Sequence, residues 1–308
     1  MRAILAAVLA FAGFGGSPAF AQTDCGYMVR GMYWVCRVYG AGDPVLFVHG
    51  ALASGAVWEK QAEAVAKSYY VAVPNLRHHG TASVTTPEPY SHLVHVRDLA
   101  DLLKRGGTNE LLTRPIHVVG HGFGAEIALL LAQELPERVR SLVLDEPDFE
   151  TLLAETPDGR ELLAQRNQQL AWVRGLAYGG RFDRAAGAYF RWLSGGDASS
   201  QIMGANPDDF SFIPEPQRSR FKSFAHTLPA HLTMPPPAIA CADLGRLKTP
   251  VLVTMGEKTR PYFKRVAETV ARCIAGARLA VIPDAGHGAP FENPAAFNRE
   301  VLEFLRKQ

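Results

Sequence analysis

Blocks of like charge are absent from this sequence of 308 residues. Charged residues make up 20% of it and the formal net charge is only +2, so no electrostatic footprint for nucleic acid or an anionic membrane is expected. Long apolar runs are equally scarce. Beyond the first twenty-odd residues none approaches the ~20 apolar residues that cross a bilayer, so no membrane span is expected in the body of the chain. Internal repeats and low-complexity tracts are missing, which argues against a solenoid. Histidines cluster at His78-His79 and at His92 and His95, but no carboxylate or cysteine completes a known ligand spacing, so no metal is expected. No cofactor is expected either, since Gly120-x-Gly122-x-Gly124 is not the dinucleotide-binding G-x-G-x-x-G.

Cysteine is sparse at four residues, and the N-terminus bears on their state. Met1-Arg2 is followed by an apolar stretch over 3–14, then by Gly15, Gly16 and Pro18, which break a helix, and by Ala19-Phe20-Ala21. That pattern predicts a signal peptide over 1–21, cleaved before Gln22, and an exported protein, periplasmic or secreted. In that oxidising setting four cysteines allow three pairings. Val29-Arg30-Gly31-Met32 reads as a two-residue turn between strands. Counting outward from it sets Cys25 opposite Cys36, a separation a disulfide spans. Cys241 and Cys273 remain, as a second bridge or as two buried thiols.

From residue 27 onward, short β-rich runs at 33–39, 45–49, 70–73, 116–119, 142–144, 251–255 and 279–282 alternate with helical stretches such as 57–67, 92–103 and 125–133. Continuous apolar strands separated by helices predict a mostly parallel, twisted sheet with helices on both faces, an α/β fold. The alternation stops over 149–244, where helices at 160–175 and 182–193 precede a Pro-rich run ending in Pro235-Pro236-Pro237. This stretch is too long for a connection and is expected to be a helical cap. The expected core is 22–148 with 245–308.

Val119-Gly120-His121-Gly122-Phe123-Gly124 follows a strand and opens an apolar helix, the setting of the nucleophile elbow G-x-S-x-G. Here the chain resembles the α/β-hydrolase superfamily. Val45-Leu46-Phe47-Val48-His49-Gly50 is similar to the family's strand and His-Gly oxyanion loop. Asn75-Leu76-Arg77-His78-His79-Gly80 is similar to its next loop, and Asp284-Ala285-Gly286-His287 to the segment delivering its catalytic histidine. Four motifs fall in the family's order.

The resemblance assigns roles. His287 would be the general base, and the backbone N–H groups of Ala51 and Phe123 the oxyanion hole. His49, Gly50 and His121 would contact substrate; in the cap, which the resemblance does not reach, Trp172 and Trp192 are expected to do so, with Tyr189, Phe190 and Phe212 as further candidate linings. Many members take their acid from a G-x-x-D segment, which here is Gly256-Glu257-Lys258-Thr259. Others, including some haloalkane dehalogenases, take it from the end of the strand before the cap. That choice favours Glu146, with Asp145 and Asp148 as alternatives. The nucleophile position is held by Gly122, which has no side chain to attack a carbonyl; the side chains of His121 and Phe123 are expected to point elsewhere. Two readings follow. One is a relative of ester and lactone (acyl) hydrolases acting on a small molecule, with hydrolysis reduced or water-mediated unless Gly122 replaces a serine. The other is a catalytically inactive hydrolase-fold binding protein.

Overall fold

In a computed structural model, which describes residues 23–79, 83–84, 88–105, 110–195, 213, 215 and 217–308, Arg30 and Gly31 both take positive φ, 45° and 72°. Positive φ at both central residues matches the right-handed twist of a two-residue hairpin. The turn joins β1 (Thr23–Val29) to β2 (Met32–Tyr39), with Val29 opposite Met32 and Cys25 opposite Cys36. Cys36 is disulfide-bonded. Residues 1–21, expected to be a signal peptide, lie outside the described ones.

The remaining strands are β3 (Asp43–Val48), β4 (Tyr69–Pro74), β5 (Ser83–Val84), β6 (Ile116–His121), β7 (Val139–Asp145), β8 (Val251–Gly256) and β9 (Arg278–Ile282). They form one sheet in the order β1-β2-β4-β3-β6-β7-β8-β9, with β5 paired to β2. From β4 to β9 all pairings are parallel. β3 shows why its sequence is apolar without alternation. Val45 and Phe47 face one core with Trp58 and Phe297, whereas Leu46 and Val48 face the other with Leu99 and Ile127. Successive strand side chains point to opposite faces, and both faces here are covered.

The helices are α1 (Glu59–Val65), α2 (His92–Arg105), α3 (Phe123–Glu134), α4 (Glu150–Leu153), α5 (Pro157–Tyr178), α6 (Phe182–Leu193), α7 (Gln217–Ser223), α8 (Leu228–Thr233), α9 (Cys241–Leu244), α10 (Pro261–Cys273), α11 (Ala289–Glu292) and α12 (Pro294–Leu305). α4 to α9 form the insertion between β7 and β8. α5 starts where Thr156 accepts a hydrogen bond from Gly159 N (3.2 Å), with Pro157 in its first turn, a sequence-coded N-cap.

Cys241 and Cys273 form a disulfide that ties α9 to α10 across 32 residues. Closing a loop of that length removes about 3–4 kcal/mol of unfolded-chain freedom. Cys273→Ser is therefore expected to lower the melting temperature by roughly 5–10 °C in a domain of this size, measured by calorimetry. An unchanged melting temperature would show that this bridge is energetically idle.

The chain leaves β3 for β4 on one side and returns to β6 on the other. In an open parallel sheet this reversal opens a crevice at the carboxyl ends of the strands. His49-Gly50 and His121-Gly122 lie there.

Candidate active site

β6 meets α3 at Gly122, which takes φ 51° and ψ −120°. The flanking glycines are required by close approach. A Cβ on Gly120 would lie 2.3 Å from Gly124 O, and one on Gly124 would lie 2.2 Å from Val48 O. Gly122 is different. Apart from its chain neighbours His121 and Phe123, a Cβ there would come within 4 Å of His287 alone among the described residues, at 3.6 Å from Nε2 and 3.9 Å from Cε1. The space a side chain would take is open and faces an imidazole.

That imidazole sits in the loop between β9 and α11, against Phe263 of α10 (ring centroids 4.3 Å apart). Its Nδ1 is 2.8 Å from Glu146 Oε2. An ionised carboxylate only accepts, so Nδ1 carries the proton and Nε2 presents its lone pair toward Gly122. Glu146 is fully buried, directly after β7, with φ 45°. Its Oε1 accepts from Gly256 N (2.8 Å) and its Oε2 from Thr259 Oγ1 (2.7 Å). Thr259, standing where the family's commoner aspartate would be, thus supports the glutamate. Burial opposes a charged His287, but the hydrogen bond and charge of Glu146, with the charges of Asp145 and Asp148, prevail and raise its pKa.

The other two carboxylates go elsewhere. Asp145 Oδ2 lies 2.7 Å from His121 Nδ1, and its Oδ1 accepts from Thr254 Oγ1 at 2.6 Å. Asp148 is held by Arg166 (2.9 Å) and by the Tyr262 hydroxyl. His121 lines the same cavity as His287, with ring centroids 4.8 Å apart, as a substrate contact should, but contrary to the expectation that its side chain points away from the nucleophile position.

The cavity measures about 440 Å³. Gly50 and Ala51 line it after β3, His121, Gly122 and Phe123 at the elbow, and Tyr189, Phe190 and Leu193 from α6. Phe123 opens α3, so its N–H lacks an acceptor within the helix, and the positive end of the helix dipole points at the elbow. Three expected contacts are not made. His49 is sealed beneath the loop, with Nδ1 bonded to Gly50 O (2.8 Å) and Nε2 accepting from Leu76 N (2.9 Å). Trp192 packs into the core between Tyr189 and Phe263 and donates to Gln169 (2.7 Å). Trp172 lies at 37% exposure on α5, outside the lining residues. Phe212 lies outside the described residues. Unforeseen linings include Glu126 and His231; Glu126 sits one helical turn into α3, paired with His92 at 2.6 Å, and burial raises its carboxyl to about 7.

A model of the alpha/beta hydrolase family matches residues 45–300. The chain belongs to the alpha/beta hydrolase family. A Bacillus subtilis relative, provisionally named 2-succinyl-6-hydroxy-2,4-cyclohexadiene-1-carboxylate synthase, is 25% identical over 265 residues, 86% of this chain and 91% of its own. An N-acyl homoserine lactone degrading enzyme superimposes with a TM-score of 0.68 at 22% identity, covering 91% of this chain and 99% of its own. A hydrolase from Pseudomonas aeruginosa does so with a TM-score of 0.66 at 24% identity, covering 94% and 99%. These structures are similar in fold. Within this alpha/beta hydrolase, Thr254 is a site residue that no sequence motif announces, its place in the second half of β8 being the only signal. Thr259 was marked by the G-x-x-D segment, but not as a partner of Glu146.

Proposed function

We propose that this alpha/beta hydrolase cleaves small ester- or lactone-like substrates by direct attack of water, with His287 as general base and Glu146 as its acid partner. The observation that carries this reading is the distance of 3.6 Å from His287 Nε2 to the open side-chain position of Gly122. A water occupying that position would hand its proton to Nε2 as it attacks the carbonyl carbon. Charge developing on the carbonyl oxygen would meet the N–H groups of Ala51 and Phe123. The similarity in fold to an N-acyl homoserine lactone degrading enzyme supports the substrate class. We read 149–244 as the cap that selects the substrate. Export to the periplasm or medium belongs to the same proposal, and the Cys241–Cys273 bridge supports it.

His287→Ala tests the reading on p-nitrophenyl butyrate. Positioned base catalysis contributes about 10²–10⁴-fold, so the variant is expected to lose at least about 10²-fold. In the unmodified protein the rate should climb with pH as His287 gives up its proton, the midpoint lying above the ordinary imidazole value of about 6.5 because Glu146 holds that proton. Glu146→Gln should slow the reaction and move the midpoint down. Turnover indifferent to His287 would refute water activation and leave the alternative of a binding protein on an inactive hydrolase scaffold.

A further inference from the structure

Two imidazoles face this cavity, and each is built in the same way. His287 leans on Glu146, which accepts from Thr259; His121 leans on Asp145, which accepts from Thr254. Asp145 and Glu146 are consecutive and both 0% exposed. Two adjacent sealed carboxylates are tolerated only with hydrogen-bond donors and compensating positive charge. The donors are in place, and each carboxylate also faces one of the two imidazoles. The His121 ring also lies against the oxyanion loop: a Cβ on Gly50 would be 3.0 Å from its Cδ2 and 3.7 Å from its Nε2. With Nδ1–H directed to Asp145, Nε2 is the atom left to exchange a proton with a substrate.

We infer that His121 is a second catalytic residue, the general acid that protonates the leaving oxygen while His287 takes the proton of the attacking water. This rests on the hydrolytic reading above. In a serine hydrolase one imidazole does both jobs in turn, because the acyl-enzyme separates them in time. Direct attack by water has no such intermediate, and two imidazoles allow both transfers in one passage. Water oxygen bonds to the carbonyl carbon and its proton goes to His287 Nε2. The bond from carbon to the leaving oxygen breaks, and that oxygen takes the proton from His121 Nε2. The products are a carboxylic acid, which releases its proton to solvent, and an alcohol. The proton on His287 then returns to His121 through the cavity, restoring both rings.

The test is a comparison of ethyl butyrate with p-nitrophenyl butyrate, using the unmodified protein and His121→Gln. An ethoxide leaving group needs a proton in the transition state, whereas p-nitrophenolate departs without one. His121→Gln is expected to cut kcat/KM for the ethyl ester by about 10²-fold and for the p-nitrophenyl ester by only a few-fold. Equal losses on both esters would overturn the acid role, since a merely structural defect does not distinguish leaving groups. Should His121→Gln fail to fold, a leaving-group series on the unmodified protein decides. A shallow dependence of rate on leaving-group basicity is expected, and a steep one would overturn the proposal. An unmodified protein inert toward both esters would sink the hydrolytic reading and this inference together, whereas selective loss of the acid role would leave that reading standing.

Discussion

Gly122→Ser is expected to raise turnover of p-nitrophenyl butyrate by about 10³-fold and to make the protein label covalently with a fluorophosphonate that leaves the unmodified protein untouched. The size follows from what a nucleophile adds. Removing the serine or histidine of a complete triad costs about 10⁶-fold, and what survives comes from the oxyanion hole and binding. Here the base, acid and elbow already stand in register. Outside its chain neighbours a serine Cβ would meet no atom closer than 3.6 Å, and that atom is His287 Nε2, so the hydroxyl would come within hydrogen-bond reach of its base. We expect only part of the full factor, since the cavity is not tuned to an acyl-enzyme. The gain has a cost. A side chain at φ 51° and ψ −120° strains the backbone by about 1–3 kcal/mol, which glycine avoids. The variant should therefore be more active and melt lower. Adding His287→Ala to it should erase the gain. A stable, well-folded Gly122→Ser protein that neither labels nor accelerates would show that the elbow no longer presents its side chain to His287.

The elbow was legible in sequence because it is defined by backbone needs. Gly120 and Gly124 are forced by atoms 2.3 and 2.2 Å from any added Cβ, and such close approach leaves a glycine signature wherever it occurs. The two-faced burial of Val45 to Val48 was legible for a similar reason, since a short strand that is apolar without alternation must be covered on both faces. The choice of Glu146 was legible in part. Thr259 marked the usual acid as missing, but only coordinates show that its hydroxyl now supports the glutamate at 2.7 Å. Side-chain direction was not legible. His121 sits at the end of β6, where strand alternation gives way to the turn, so no periodicity says which way it faces. His49 and Trp192 misled for the opposite reason. They lie beside motif positions or on the expected helix, yet their polar atoms are taken up by Leu76, Gly50 and Gln169, partners distant in sequence or invisible to pattern. On α6, Tyr189 and Phe190 line the cavity while Trp192 does not, a division fixed by helix rotation, which tertiary packing sets.

Acid should unfold this protein well above the pH at which carboxylates titrate, because it buries several histidines in neutral form. Burial lowers His49, His117 and His231 to about 4, and it carries His79 and His95 well below the ordinary value. The contacts agree with neutral rings. His49 Nε2 accepts from Leu76 N, a bond that a proton would abolish, and neither ring nitrogen of His95 has a hydrogen-bond partner among the described residues. In the unfolded chain the same imidazoles protonate near 6.5. Between 6.5 and about 4 the unfolded state therefore binds more protons, and stability falls as pH drops. Each group that moves by some 2.5 units contributes about 3 kcal/mol by the bottom of that window. Other groups act in reverse. Glu126, raised to about 7, takes up its proton earlier when folded, and His287 holds its own more tightly when folded, so both add stability in acid. Six depressed histidines, His78 included, outweigh these two and the smaller raised shifts of Asp98, Asp145 and Glu150, leaving a deficit that is a large part of the roughly 5–15 kcal/mol that holds a typical domain together. Urea unfolding followed from pH 7 to pH 4 should lose stability at about 1–3 kcal/mol per pH unit, with loss of the native state before pH 4 is reached. Replacing His117, whose Nδ1 meets only Ser141 Oγ at 2.7 Å, by asparagine should reduce the slope by up to one proton, about 1.4 kcal/mol per unit. A stability that stays level down to pH 4.5 would mean that these imidazoles are not held neutral by burial in the native state.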